Sequence, residues 1–265
     1  MTTQTFVPTS ELIQQTPCVR SLGQTQNQAT VRELFEASAC DPFEGGDGGD
    51  AGSIESPSIW LFGIEHGVER NIEKNPDVTH DERDYSIDKQ LGYRFNRNAF
   101  KLFAAIHGKL VDDHEDFAKL KKPWVKGSKG YLKGNLYPYP CRNIKTWTAE
   151  AKQDTGFEDK RELIKWCNEH RLPAIADAVR HYHPKLFIGV GASMAREFSK
   201  ACFGDNTPLE THQLSINGHT KKIRYATHNG RILVVLPHIS SGYNGLNSDE
   251  SLQETGNFIA TKLMR

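Results

Sequence analysis

The sequence predicts an α/β fold, a three-layer α/β/α sandwich around a central, mostly parallel sheet. Three observations carry that prediction. The apolar runs Ile59-Trp-Leu-Phe, Leu186-Phe-Ile-Gly-Val and Ile232-Leu-Val-Val-Leu each have about the length of one buried strand. Segments with three-to-four apolar spacing lie between and after them, the alternation expected of strands joined by crossover helices. Each run also ends in glycine or polar residues, and open α/β sheets bind ligands beyond the carboxyl ends of their strands.

The first run shows this most clearly. Ser58-Ile-Trp-Leu-Phe-Gly63-Ile64-Glu65-His66-Gly67 delivers an acid and an imidazole to the end of a strand, flanked by glycines that permit a tight turn and a close substrate. A plain strand-to-loop turn with two solvated polar residues reads equally well from this stretch alone.

Length and composition narrow the classes. The chain's 265 residues suffice for one well-buried domain with appendages, and the composition, 37% hydrophobic and 25% charged, is that of a globular protein without a membrane span. The opening residues lack a basic and then apolar leader pattern. Cys18, Cys40, Cys141, Cys167 and Cys202 are scattered without close metal-type spacing. Both features suggest a cytoplasmic protein with reduced thiols and neither a metal site nor another cofactor. Net charge is zero, so distribution matters more than the sum. Acid is dense over 44–84, whereas lysines crowd 119–133 around Trp124 and Tyr131. That lysine-rich segment reads as a phosphate-contacting loop carrying Lys126 and Lys129, or equally as a solvated loop.

In order along the chain, residues 1–57 form an N-terminal extension. It holds short helical patterns at Ser10–Gln15 and after Thr30, the latter with Glu33 placed for a capping box. Glu44 to Gly52 has the composition of a flexible Gly/Asp tether. Residues 58–265 form the folded domain. After the first strand, Leu91 to His107 is helical, with Phe100, Phe103, Ala104 and Ile106 facing the core. A short strand ends near Leu136 or Tyr137, before Pro138. Helices follow at Asp159–His170, Pro173–Tyr182 and Ala192–Cys202, the last directly after the second buried strand. Asn217-Gly218 marks a hairpin, and a helix over Asp249–Met264 closes the chain.

Polar groups thus stand at three strand ends: Glu65 and His66, then Asn135, then His238 with Ser240. Their order and form resemble the uracil-DNA glycosylase superfamily. Gly63-Ile64-Glu65-His66-Gly67 is similar to its first motif, Asn135 to its base-reading asparagine, and His238-Ile239-Ser240-Ser241 to its last motif before a DNA-inserting loop. Arg94-Phe95-Asn96-Arg97 and the strand Phe187 to Ser193 are weaker likenesses. The sequence departs by carrying His66 and Ile239 where the motifs have proline, and by lacking an aromatic in 68–75 to exclude bulky pyrimidines.

The resemblance implies a monofunctional DNA N-glycosylase of cytoplasmic, monomeric character. It would flip out a modified or damaged base, with room left by the absent aromatic for a C5-substituted pyrimidine such as a hypermodified phage cytosine, from single- or double-stranded DNA. Glu65 would orient water and His238 would stabilise the leaving base as catalytic groups. Gly63, Ile64, His66, Phe95, Asn135 and Tyr137 would bind the base, Asn135 along its Watson–Crick edge and Phe95 or Tyr137 by stacking. Ser240, Ser241, Tyr243, Asn244 and Leu246 would contact DNA, with Tyr243 and Leu246 as the wedge. From the residues alone, His238 also reads as a buried structural histidine, Asn135 as a turn cap and Phe95 as core. A non-catalytic DNA- or protein-binding module on the same fold is the alternative. An α/β hydrolase is disfavoured, since Gly191-Ala-Ser193-Met-Ala departs from a nucleophile elbow.

Overall fold

The computed structural model describes residues 29–67, 85–141 and 145–264. The predicted helix at Ser10–Gln15 lies outside the described residues. Thr30 and Glu33 form the capping box foreseen in the sequence, and it opens α1 (Val31–Ala39). The chain then runs through β1 (Gly48–Gly49), β2 (Ile59–Glu65), α2 (Ile87–Gly92), α3 (Arg94–Ile106), α4 (His114–Lys121) and β3 (Tyr131–Tyr137). Next come α5 (Ala149–Thr155), α6 (Lys160–Trp166), α7 (Leu172–Tyr182), β4 (Leu186–Val190) and α8 (Ala195–Phe203). The hairpin β5 (Glu210–Ile216) and β6 (His219–His228), then β7 (Arg231–Leu236) and α9 (Asp249–Phe258), complete the fold.

The seven strands form one sheet in the order β1-β3-β2-β4-β7-β6-β5. β3, β2, β4 and β7 are mutually parallel, and β1 and β6 run antiparallel to their neighbours. Side chains of β2 alternate between two apolar clusters, as its two-residue period requires. Ile59 and Leu61 pack with Phe100, Phe103 and Leu252 on one face; Trp60 and Phe62 pack with Leu163, Ile175 and Phe198 on the other. Helices therefore cover both faces.

Three local readings need correction. The stretch with tether composition is built into the domain. Arg171 is fully buried in a π-helical turn between α6 and α7, and its guanidinium donates to the carbonyls of Ala39, Asp41 and Glu44 at 2.7 Å each. The same group also donates to Leu136 and Asn135 of β3 at 2.9 and 3.1 Å, so it clamps residues 39–44 onto the sheet. Burial lowers its pKa to about 10, which leaves it protonated at neutral pH. The lysine-rich loop is likewise shorter than composition suggests. Lys119 and Lys121 lie in α4, and Lys133 lies inside β3. Finally, Cys141, Cys167 and Cys202 are buried free thiols, but Cys40 is disulfide-bonded.

Candidate functional site

The chain leaves β2 for β3 on one side and returns to β4 on the other, so the ends of β2 and β4 border a crevice of the kind that holds ligands in open α/β sheets. Gly63 and Asn135 are register partners here, and a Cβ on Gly63 would stand 2.5 Å from the Asn135 Oδ1. Only glycine lets that amide lie flat against the strand. Asn135 is nearly buried and spends one N–H on the carbonyl of Gly45 at 2.7 Å, leaving the second N–H and Oδ1 for another partner. Ile64 packs into the core cluster that contains Trp60 and Phe62.

His66 belongs to a charged cluster absent from the sequence reading. Register sets Gly48 opposite Lys133, which brings Asp47 beside the Lys133 ammonium in an ion pair. Asp47 also accepts from the Tyr85 hydroxyl at 2.6 Å and contacts His66 Nε2 at 3.0 Å. Asn96 closes the network, accepting from Lys133 at 2.8 Å and donating to the Tyr85 oxygen at 2.7 Å. Burial alone would raise the Asp47 pKa, but the Lys133 charge and hydrogen bonds from His66, Lys133 and Tyr85 outweigh it and hold the carboxyl well below the usual range. The other ring nitrogen of His66, Nδ1, lies 3.0 Å from the Gly67 carbonyl oxygen. A carbonyl and an ionised carboxylate both only accept, so both ring nitrogens donate and His66 is an imidazolium. Its pKa is raised accordingly, chiefly by the Asp47 hydrogen bond and against opposing burial.

His238 has the opposite character. The backbone N–H of Ser240 points at its Nδ1 at 3.2 Å, with the hydroxyls of Ser240 and Ser241 at 3.2 and 3.3 Å. A backbone N–H can only donate, so Nδ1 carries the lone pair and the neutral ring bears its proton on Nε2. Burial of the ring lowers its pKa, which favours that neutral form. Phe95 meets His238 edge-on, 5.9 Å between ring centroids, and its ring also receives the Lys133 ammonium 5.1 Å from its centroid. His66, Asp47, Lys133, Phe95 and His238 are thereby one chain of contacts.

Glu65 stands at the same strand end but turns the other way. Its Oε2 pairs with Lys160, at the start of α6; the two side chains are 9% and 6% exposed. The Cys141 thiol lies beside them; burial raises its pKa, and a hydrogen bond and the charge from Lys160 offset part of that. For Glu65, burial raises the pKa and the bond and charge of Lys160 offset only part of the rise. The helix carrying Lys160 packs in the layer opposite α3, which carries Phe95.

Several predicted site residues fall elsewhere. Tyr137 is fully buried among apolar side chains with its hydroxyl directed at Met194, so no base can stack on it. Leu246 is also fully buried and its backbone N–H closes the loop onto the His238 carbonyl at 2.9 Å, so it cannot serve as a wedge. Tyr243 remains 80% exposed, and Ser241 and Asn244 are exposed beside it. Gly245 holds this loop shut, since a Cβ there would lie 2.3 Å from the Ser241 carbonyl oxygen. Lys126 and Lys129 are exposed in the turn that enters β3, at the amino ends of the parallel strands. The seven residues of β3, about 3.3 Å each, separate them from the crevice.

Among the described residues no group of three or more His, Cys, Asp or Glu is placed to hold a metal ion, and no helix is long and apolar enough to cross a membrane. No protein-family model and no curated protein matches the chain. The residues that sequence reading missed are Asp47, Lys133, Tyr85 and Lys160. Lys133 was findable, since it stands two residues before Asn135 and so shares its strand face.

Proposed function

We propose that the protein is a DNA glycosylase, a divergent relative of the uracil-DNA glycosylase superfamily, that excises a flipped, modified pyrimidine and leaves an abasic site. The observation that carries this reading is His238, a neutral ring whose tautomer is set by a backbone amide and whose Nε2–H is left to donate at the carboxyl end of β7. Such a donor suits a leaving base, whose oxygen gains negative charge as the N-glycosidic bond breaks, and stabilisation of that kind is worth roughly 3 kcal/mol. Phe95 offers a ring face beside it, and the unspent groups of Asn135 offer a donor and an acceptor for the base edge. His66 in place of the first motif's proline supplies a fixed positive charge near the same edge. Glu65, held by Lys160, is assigned to orienting the attacking water, and its raised pKa makes it the stronger base. No cofactor is required for this chemistry. The size of base accepted follows from the missing aromatic after Gly67, and a role against phage DNA with hypermodified cytosines is an argument by analogy with the superfamily.

Mass spectrometry of bases released from a panel of natural and phage-modified DNAs, single- and double-stranded, tests the reading. One modified base should be released, and His238→Ala should abolish its release. A second reading, a binding module without turnover, draws on one feature: the Glu65 carboxylate faces Lys160 in the layer away from Phe95 and His238. It predicts a mobility shift on the same DNAs with no abasic sites.

A further inference from the structure

We infer that the strand bearing the target base is held along the tip of the β5–β6 hairpin and the start of α8, rather than along the lysine-rich turn before β3. This rests on the proposal that the protein binds DNA. The first observation is one of charge. The chain as a whole is neutral, with 33 acidic residues, yet no Asp or Glu occurs anywhere from Thr211 to Ser248. That stretch comprises nearly all of the hairpin, β7 and the whole His238 loop, and it carries Lys221, Lys222, Arg224 and Arg231. A neutral chain that keeps acids out of one continuous stretch of sequence concentrates positive charge on the side chains that stretch exposes.

The second observation is position. Arg224 pairs with Val235 near the carboxyl end of β7, and β6 is antiparallel to it, so His219 to Lys222 project beyond that strand's end. The hairpin tip therefore rises at the same sheet edge as His238. The sheet's parallel order places the start of α8, which follows β4, at that edge too. Arg196 and Arg224 face an open groove of about 470 Å³ together with Ser199, Asn206 and Thr207. Arg224 gives one N–H to the Ala192 carbonyl at 3.1 Å, which fixes the guanidinium while its remaining donors stay exposed.

The third observation is Tyr243. Its backbone carbonyl accepts from Lys221 at 2.7 Å, the same ammonium lies 5.8 Å from its ring centroid, and its ring meets His219 edge-on at 5.5 Å. The hairpin thus holds the one large aromatic of the loop outward in solvent. Lys221 and His219 alternate with Lys222 and Arg224 along β6, so the tip carries cations on both faces and the aromatic on one of them, groups that suit the phosphates and unstacked bases of a nucleic acid strand crossing it. The turn before β3 has the cations but faces the opposite sheet edge, and Lys129 lies 3.5 Å from Asp50 there.

The experiment measures binding of the full chain to a 20-nucleotide DNA, single-stranded and as duplex, across salt concentrations. Each lost phosphate contact should lower the slope of log affinity against log salt by about one. Lys222→Glu/Arg224→Glu should therefore reduce the slope by about two and affinity at least tenfold, with Lys222→Glu alone giving about half that slope change. Lys126→Glu/Lys129→Glu should leave the slope as it is. Thermal melts confirm that each variant remains folded, and Lys222→Glu, on an exposed side chain, keeps the test valid should the Arg224 change unfold the protein. A slope lowered by the Lys126/Lys129 pair and not by the hairpin variants overturns this surface while leaving DNA binding intact. A wild-type protein with no salt-dependent affinity for either DNA overturns the glycosylase reading and this inference together.

Discussion

Glu65 and His66 are neighbours in sequence and opposites in surroundings. His66 turns toward α3 and shares one carboxylate, Asp47, with the partly buried Lys133, so two cations lean on a single anion. Glu65 turns toward α6 and meets one cation, Lys160. Continued alternation from Ile59 to Phe62 would give Glu65 to the α3 face and His66 to the α6 face, so the chain turns over as it leaves the strand, and each side has built a different electrostatic environment. The difference teaches which side of β2 is fixed. The His66 side is a network reaching Phe95 and, through it, His238; the Glu65 side is an ion pair with the Cys141 thiol beside it, where burial works against the carboxylate's charge.

The comparison breaks most visibly at Asp47. Asp47→Asn leaves the partly buried Lys133 and His66 without their shared counter-ion, and the expected loss is about 3–5 kcal/mol of stability in denaturant unfolding. Glu65→Gln should cost less, about 1–3 kcal/mol, because Lys160 is the donor that loses a charged acceptor there, against Lys133, His66 and Tyr85 at Asp47. Equal losses at the two positions would contradict the asymmetry. On the functional side, His238→Ala should lower base release about 100-fold or more at little cost in stability, since the residue keeps an exposed edge and no buried polar group depends on it. Tyr243→Ala should weaken binding to single-stranded DNA by about 1–3 kcal/mol, the worth of one stacked base, and leave the melting temperature in place.

The smallest effect is a pH dependence with a definite sign. The folded protein raises the His66 pKa, so it binds more protons than the unfolded chain above the ordinary histidine value. The stabilisation is complete below about pH 6.5 and is lost as pH rises through the folded value. His238 is shifted the other way: its stabilisation is complete above about pH 6.5 and is lost as pH falls through its depressed value. His66→Gln should flatten the alkaline fall of the unfolding free energy, and His238→Gln the acid one.

Much of this was legible in the sequence, and the parts that were not share a cause. Apolar runs announced β2, β4 and β7, Asn217-Gly218 announced its hairpin with φ of 50° and 76°, and Thr30 with Glu33 announced a helix start. Each of those signals is local. Asp47 was hidden because a Gly/Asp-rich segment has the composition of a linker, and only its pairing with β3 turns it into part of a site. Arg171 was invisible for a related reason. Its partners are backbone carbonyls, which any residue supplies, so no acidic residue marks where it binds. Leu246 misled in the opposite direction, as an apolar residue near a loop tip that folds inward. The acid-free stretch after Glu210 was readable throughout, and becomes informative once the sheet order puts it beside His238.

The account stands on two histidines at the ends of β2 and β7, one charged and one neutral. Nitrogen-15 NMR of histidine-labelled protein at pH 7, assigned with His66→Gln and His238→Gln, reads the protonation of each ring nitrogen directly. The prediction is His66 protonated on both nitrogens and His238 neutral with its proton on Nε2. A neutral His66, or a His238 that is charged or protonated on Nδ1, would contradict it.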